Sequence, residues 1–268
     1  MTTANIVFLI DIQNGFIRNN LTPEQGGCLG VPNGKKVCKP AGKLIRNLKN
    51  AFVILSQDFH PKNHVSFKSN HPNGLWPDHC VQGTESAAFV KSVMNELPFN
   101  MIKLLYIDST LPVLMEKDER KNTFFVIRKG MNPNLDSYGI ATENDGVSTT
   151  RAPRVFKDIA GTLKGRGIEK AQIHIGGLAT NFCVEFSHND IYKLLIPALN
   201  KNDIKANVNL LTDISAGIPD AFVQSGFEVS SAMKRMSEKG TTFTTTEDLF
   251  RNTVPRRGKM PQQSYMPG

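Results

Sequence analysis

The sequence predicts a three-layer α/β fold, a parallel β-sheet with helices on both faces. Two observations lead there. Short apolar runs, each closed by a polar residue, recur along the chain, as strands buried on both sides require. Amphipathic segments lie between several of these runs, and that alternation is the signature of strands joined by crossover helices. A length of 268 residues with 40% hydrophobic content suffices for one substantial core, predicted here as a single domain over residues 1–250.

Taken in order, the predicted strands are IVFLID (6–11), AFVILSQD (51–58), FFVIRK (124–129), QIHIGGLAT (172–180) and NVNLLTD (207–213). Ligands of such sheets sit beyond the carboxyl ends of the strands. Those ends carry Asp11, Asp58, Lys129, the turn before Cys183, and Asp213. Two stretches exceed simple connections. One lies near 19–43; the other, 93–121, has room for an extra hairpin or helix.

Composition excludes several classes of function. The opening MTTANIVFLID has no basic n-region and too short an apolar run for a signal peptide, and no segment has the length of a membrane span. The four cysteines form no CxxC pair and no zinc-finger spacing, which points to reduced thiols in a cytoplasmic setting, although Cys28 and Cys38 are near enough to pair. The formal charge of +8 is local. Residues 31–50 hold six cations and no acid, and the tail 251–268 holds four more. The rest is slightly acidic, and no aromatic residues interleave with the cations, so the expectation is a solvated face and a disordered basic tail, with no nucleic-acid partner.

Three segments carry candidate chemistry. In GGLATNFCVEFSHNDIYKLL a strand passes through small residues into a helix, putting Cys183 near a helix N-terminus, where free N–H groups lower a thiol's pKa and can hold an oxyanion. A nucleophilic thiol needs a base, and Asp11 is the strand-end carboxylate to supply it, with Lys129 bringing positive charge to the same rim. Each residue alone has a bland reading, a core thiol or a helix cap. Their shared edge of one sheet favours the chemical one. SQDFHPKNH offers Asp58 and His60 from alternate positions of an extended segment, and LWPDHCVQGT gathers the only tryptophan, a histidine and a cysteine on one loop. Asp58, His60 and His79 make a two-His, one-carboxylate set for one divalent metal ion, which suits zinc, iron or manganese; His64 is either a fourth ligand or a loop anchor.

In these blocks the chain resembles the nicotinamidases (pyrazinamidases) of the isochorismatase-like cysteine hydrolases: IVFLIDIQNGF, SQDFHPKNHVSF, LWPDHCVQGTESAAF, VIRKGMNPNLDSYG and GGLATNFCV occur in the family's order. The resemblance implies a Rossmann-like three-layer sheet of the isochorismatase-like hydrolase fold. It also implies the roles. Cys183 would attack the carboxamide carbon of nicotinamide, Asp11 would carry the proton, and Lys129 would balance thiolate and carboxylate. The N–H groups of Ala179 and Cys183 would form the oxyanion hole, with a cis peptide between Leu178 and Ala179. A metal ion, zinc above all, on Asp58, His60 and His79 would take the pyridine nitrogen, and Phe16 and Trp76 would flank the ring. Cys80 would be a packed neighbour. The product would be nicotinate, in NAD salvage, and a homo-oligomer is compatible with the family. A related amidase acting on another small planar amide, and a catalytically silent binding module of the same fold, are the competing readings.

Overall fold

The computed structural model of the chain describes residues 2–106 and 111–253. The elements, in order, are β1 (Thr3–Ile10), α1 (Asn14–Ile17), α2 (Gly34–Asn47), β2 (Phe52–Asp58), α3 (Lys91–Met94), α4 (Phe99–Tyr106), β3 (Val113–Lys117) and β4 (Thr123–Lys129). They continue with α5 (Ala152–Gly165), β5 (Lys170–Leu178), α6 (Glu185–Asp190), α7 (Ile196–Asn200), β6 (Lys205–Ala216), α8 (Val229–Glu238), β7 (Thr242–Thr244) and α9 (Thr246–Thr253).

The strands form one seven-stranded sheet in the order β3-β4-β2-β1-β5-β6-β7. Every residue of β2 and of β4 is buried, the pattern of central strands covered on both faces. Helices supply that cover, with α5 packed beside α7 and α2 beside α3. In α2 the apolar positions Val37, Ala41, Leu44 and Ile45 recur at helical spacing and are buried, while Lys35, Lys36, Lys39, Lys43 and Arg46 of the basic stretch lie exposed on the outer side. Among the described residues no helix is long and apolar enough to cross a membrane.

All five predicted strands are present, with two differences from expectation. The sheet is not wholly parallel: β3, inside the 93–121 stretch, pairs antiparallel with β4, and α4 precedes it, so that stretch carries both a helix and a hairpin. The short β7 adds a parallel edge to β6. Second, β6 runs past Asp213 to Ala216, and Asp213 accepts hydrogen bonds from the backbone N–H (3.0 Å) and hydroxyl (2.5 Å) of Thr246. It caps α9 and takes no part in the site. Cys28, Cys38, Cys80 and Cys183 are all free thiols, as the cysteine spacing predicts. Of the basic tail 251–268, residues 251–253 are the last of α9, and the rest lies outside the described residues.

Candidate active site

Strand order brings the candidate residues together. β4, β2, β1 and β5 are consecutive neighbours in the sheet, so Lys129, Asp58, Asp11 and the turn after Leu178 sit along one rim. Lys129 is only 1% exposed, and its ammonium links every one of them. It lies 2.9 Å from Asp11 Oδ2 and 2.5 Å from Asp58 Oδ1, donates to the Ser137 carbonyl at 2.9 Å, and stands 3.6 Å from Cys183 Sγ. Asp11 is held further by Ser56, whose hydroxyl donates to Oδ1 at 2.6 Å and accepts from the Asp11 N–H at 3.1 Å. The close fit of β1 against β5 depends on Gly177: its φ is +142°, and a Cβ there would stand 2.0 Å from the Ile10 carbonyl oxygen.

Cys183 lies in a wide turn of helix, Thr180–Val184, that continues directly into α6. The peptide between Leu178 and Ala179 is cis, and the Ala179 carbonyl accepts from the N–H groups of Phe182 and Val184. The helix start predicts a lowered Cys183 pKa. Burial outweighs it: the thiol is 7% exposed, and desolvation pushes its pKa well above the ordinary value, with Lys129 pulling down and Asp11 and Asp58 pushing up. The resting thiol is therefore protonated. Burial also raises Asp11, to about 6, with Lys129 opposing and Asp58 adding to the rise. Burial opposes the charge on Lys129 as well, but Asp11 and Asp58 outweigh it, and the ammonium stays protonated.

Beside this cluster is a set of metal donors. One donor atom from each of Asp58, His60 and His79 lies within 4.8 Å of the others, all three residues being buried. The His60 and His79 Nε2 atoms stand 3.5 and 3.9 Å from Asp58 Oδ2. Each ring is turned by its far nitrogen, His60 Nδ1 toward the Gly130 carbonyl at 2.9 Å and His79 Nδ1 toward the Pro77 carbonyl at 2.8 Å. Donation through Nδ1 leaves a lone pair on Nε2, the tautomer a divalent ion requires. Burial, with His60 adding to it, lowers the His79 pKa to about 4, so its ring is neutral at physiological pH. Gly130 permits the His60 position, because at φ +61° a Cβ would fall 2.3 Å from the ring. The residues fit a divalent cation. Lys129 reaches the same carboxylate from the other side, so thiol and metal set share one buried ammonium. His64 is outside this group: its Nδ1 meets Ser66 Oγ at 2.7 Å and its Nε2 faces the Leu135 carbonyl at 3.3 Å, while a second grouping joins it to His60 and Asp136.

Phe16, Trp76, His79, Ala179 and Cys183 all line one cavity of about 30 Å³. Cys80 is fully buried behind it, its thiol directed to the Ser86 carbonyl at 3.7 Å. Sequence reasoning missed six lining residues, among them Leu29, Val31 and Phe182. Tyr138 accepts a hydrogen bond from the Trp76 indole at 3.1 Å, Asp136 lies beside the metal donors, and Ile218 comes from the loop after β6. Tyr138 and Asp136 belong to the block VIRKGMNPNLDSYG, but nothing in its spacing predicts that the loop folds back over Lys129.

A buried thiol flanked by a carboxylate and an ammonium, next to a set of metal donors, is an arrangement suited to cysteine-dependent hydrolysis of an amide bond. No protein-family model matches the chain. The chain is 32% identical to the nicotinamidase of Acinetobacter baylyi over 203 residues, covering 70% of this chain and 74% of that protein. PnC1 from L. infantum, solved in complex with nicotinate, superimposes with a TM-score of 0.58 at 26% identity, covering 91% of this chain and 93% of that one. The pyrazinamidase of Pyrococcus horikoshii, solved in complex with zinc, gives a TM-score of 0.55 at 26% identity, covering 90% and 98%. The mixed, largely parallel sheet between two helical layers is the fold of these neighbours, and the chain belongs to the isochorismatase-like hydrolases as a relative of the nicotinamidases and pyrazinamidases.

Proposed function

We propose that the protein is a nicotinamide amidohydrolase that works through a thioester on Cys183. The observation that carries this reading is the sharing of Lys129 between the thiol and the metal set at the end of one aromatic-walled cavity. Asp58, His60 and His79 would hold the metal ion, which when bound supplies a Lewis-acid position for a ring nitrogen.

The chain's own groups do the rest. Asp11 takes the Cys183 proton as the sulfur forms its bond to the carboxamide carbon, and Lys129 balances the thiolate that develops. The N–H groups of Ala179 and Cys183 stabilise the oxyanion. The carbon–nitrogen bond breaks as Asp11 returns the proton, ammonia departs, and the acyl group remains on sulfur. Water, giving a proton to Asp11, then attacks the thioester; the carbon–sulfur bond breaks as Asp11 passes that proton to sulfur, regenerating the thiol, and the nicotinic acid released loses its own proton to solvent as nicotinate. Phe16 and Trp76 hold the ring flat, which keeps the carbonyl in line with the sulfur.

Two results test this. Ammonia release by purified protein should be strong for nicotinamide and for pyrazinamide, which keeps a nitrogen at the same ring position. Benzamide lacks that nitrogen and should be disfavoured by up to about 10⁴-fold, since a site built around one polar contact rejects an analogue without it. His79→Ala should lower metal content in elemental analysis and narrow the ratio; equal turnover of benzamide and nicotinamide by the wild type would defeat the assignment.

The pH profile is the second test. Asp11 must be ionised to accept the thiol proton, and its pKa is raised to about 6, so kcat/KM should be full above that value. Below it the rate should fall about tenfold per pH unit as the carboxyl protonates. Ser56→Ala removes a hydrogen bond that favours the ionised form and should move this acid limb to higher pH. A limb unmoved by that change would separate Asp11 from the titration.

A further inference from the structure

The cavity that holds Cys183 is narrow for the substrate class assigned to it. It offers about 30 Å³, whereas a cavity of roughly 150 Å³ holds a benzene ring. Movement of one wall would make room for a six-membered ring at the sulfur. The walls differ in how they are fastened. The stretch carrying Leu29 and Val31 is tied to α1 through Leu29 N–H to the Gly15 carbonyl (2.7 Å) and Val31 N–H to the Phe16 carbonyl (2.8 Å). Trp76 exchanges backbone hydrogen bonds with the 66–68 segment, Trp76 N–H to the Ser66 carbonyl (3.0 Å) and Lys68 N–H to the Trp76 carbonyl (2.9 Å).

The connection between β6 and α8, residues 217–228, is different. None of its residues is buried, and its backbone hydrogen bonds, such as Phe222 N–H to the Pro219 carbonyl and Phe227 N–H to the Gln224 carbonyl, stay within the loop. Among the described residues, every hydrogen bond from this loop to another part of the chain, β6 and α8 apart, is made by one side chain. Asn181 is fully buried, donates to the carbonyls of Ile218 (3.0 Å) and Phe227 (2.6 Å), and accepts from the Ile218 N–H (3.0 Å). These bonds set the roof of the cavity. Ile218 lines it directly, and Phe227 stacks at 5.2 Å and 13° on Phe182, which also lines it. The loop's two ends are fixed, by β6 on one side and on the other by α8, which Arg235 forks onto the buried Glu185. A thinly packed segment between fixed ends is the part that opens at least cost.

We propose that residues 217–228 form a flap over the cavity and that Asn181, two positions before Cys183, is the positioning residue that latches it shut. The need for opening rests on the reading of the substrate as an aromatic amide; the latch itself does not. Asn181 is thus a residue of the nucleophile turn that controls access to the nucleophile.

The experiment compares wild type with Asn181→Asp, which has the same shape. Whatever its protonation state, the aspartate loses at least one of the two donated bonds and, when ionised, repels both carbonyls. Losing a buried hydrogen bond and facing repulsion should shift the open population by at least about tenfold. Amide hydrogen exchange of residues 217–228 should speed up by that factor with β1 and β5 unchanged, and iodoacetamide should alkylate Cys183 faster by a similar factor. KM for nicotinamide should rise more than kcat falls. Exchange and alkylation identical to wild type would overturn the latch, as would loss of kcat with an unchanged loop. If Asn181→Asp does not fold, Phe227→Ala, which removes only the stack on Phe182, should give the same exchange and alkylation changes in weaker form, and no change would again overturn the proposal. Both readouts are independent of turnover, so a protein that leaves nicotinamide untouched but loosens its loop would refute the assigned substrate and keep the latch.

Discussion

Cys183→Ala is expected to lower kcat for nicotinamide by at least about 10⁴-fold, because it removes the only atom on which the acyl group can be carried. The same substitution should leave the fold and the metal content in place. It deletes one sulfur from a small buried side chain, and the Asp11–Lys129–Asp58 cluster and the metal donors do not depend on that atom. Circular dichroism and elemental analysis should match wild type. Cys80 cannot substitute: it is 0% exposed, burial holds its thiol well above the ordinary pKa, and it does not line the cavity. Alkylation should therefore mark Cys183 before Cys80, and ordinary activity in Cys183→Ala would refute the mechanism.

Lys129→Ala is expected to be comparably damaging to rate and much more damaging to stability than Asp11→Asn. Asp11→Asn keeps shape and leaves Lys129 paired with Asp58, so its loss, about 10²- to 10⁴-fold in kcat/KM, comes from an amide that cannot accept the thiol proton. Lys129→Ala strands two buried carboxylates without their shared cation. Breaking a buried ion pair from one side costs about 3–5 kcal/mol, because the remaining charge stays desolvated. The carboxylates can protonate to relieve this, which would inactivate the base and weaken the metal donor together. Denaturant melts should show the loss for Lys129→Ala and little change for Asp11→Asn. Their double variants with Cys183→Ala should lose far less than the product of the single losses, since the three act as one unit. Multiplicative losses would mean independent roles.

The central strands and the rim they build are legible in the sequence. A continuous apolar run closed by Asp11, Asp58 or Lys129 fits little besides a strand buried on both faces, and in a parallel sheet the closing residues fall on one rim. The edges are not legible. Val113–Lys117 and Thr242–Thr244 are short and partly exposed, so their pattern is weak, and only pairing with β4 and β6 makes them strands. Asp213 resembles the other strand ends because a closing carboxylate has the same appearance in sequence whether it faces a cavity or caps a helix. The Cys183 pKa departs from expectation for a related reason: a helix start is visible in the sequence, whereas the burial that overrides it is a property of the assembled rim. Contacts that cross the chain, such as Lys129 with Asp58, Trp76 with Tyr138 and Asn181 with Ile218, leave no local spacing to find.

If the sulfur of Cys183 attacks a carbonyl carbon held on a pyridine ring in this cavity, it should also add to an aldehyde held in the same place. Pyridine-3-carboxaldehyde labelled with ¹³C at the aldehyde carbon tests it most directly, since a thiol adds to an aldehyde but nothing then leaves. In wild-type protein the aldehyde resonance should be replaced by that of a tetrahedral thiohemiacetal carbon, and in Cys183→Ala the aldehyde resonance should persist. An unchanged aldehyde signal with wild type, or the same tetrahedral signal with Cys183→Ala, would contradict the account.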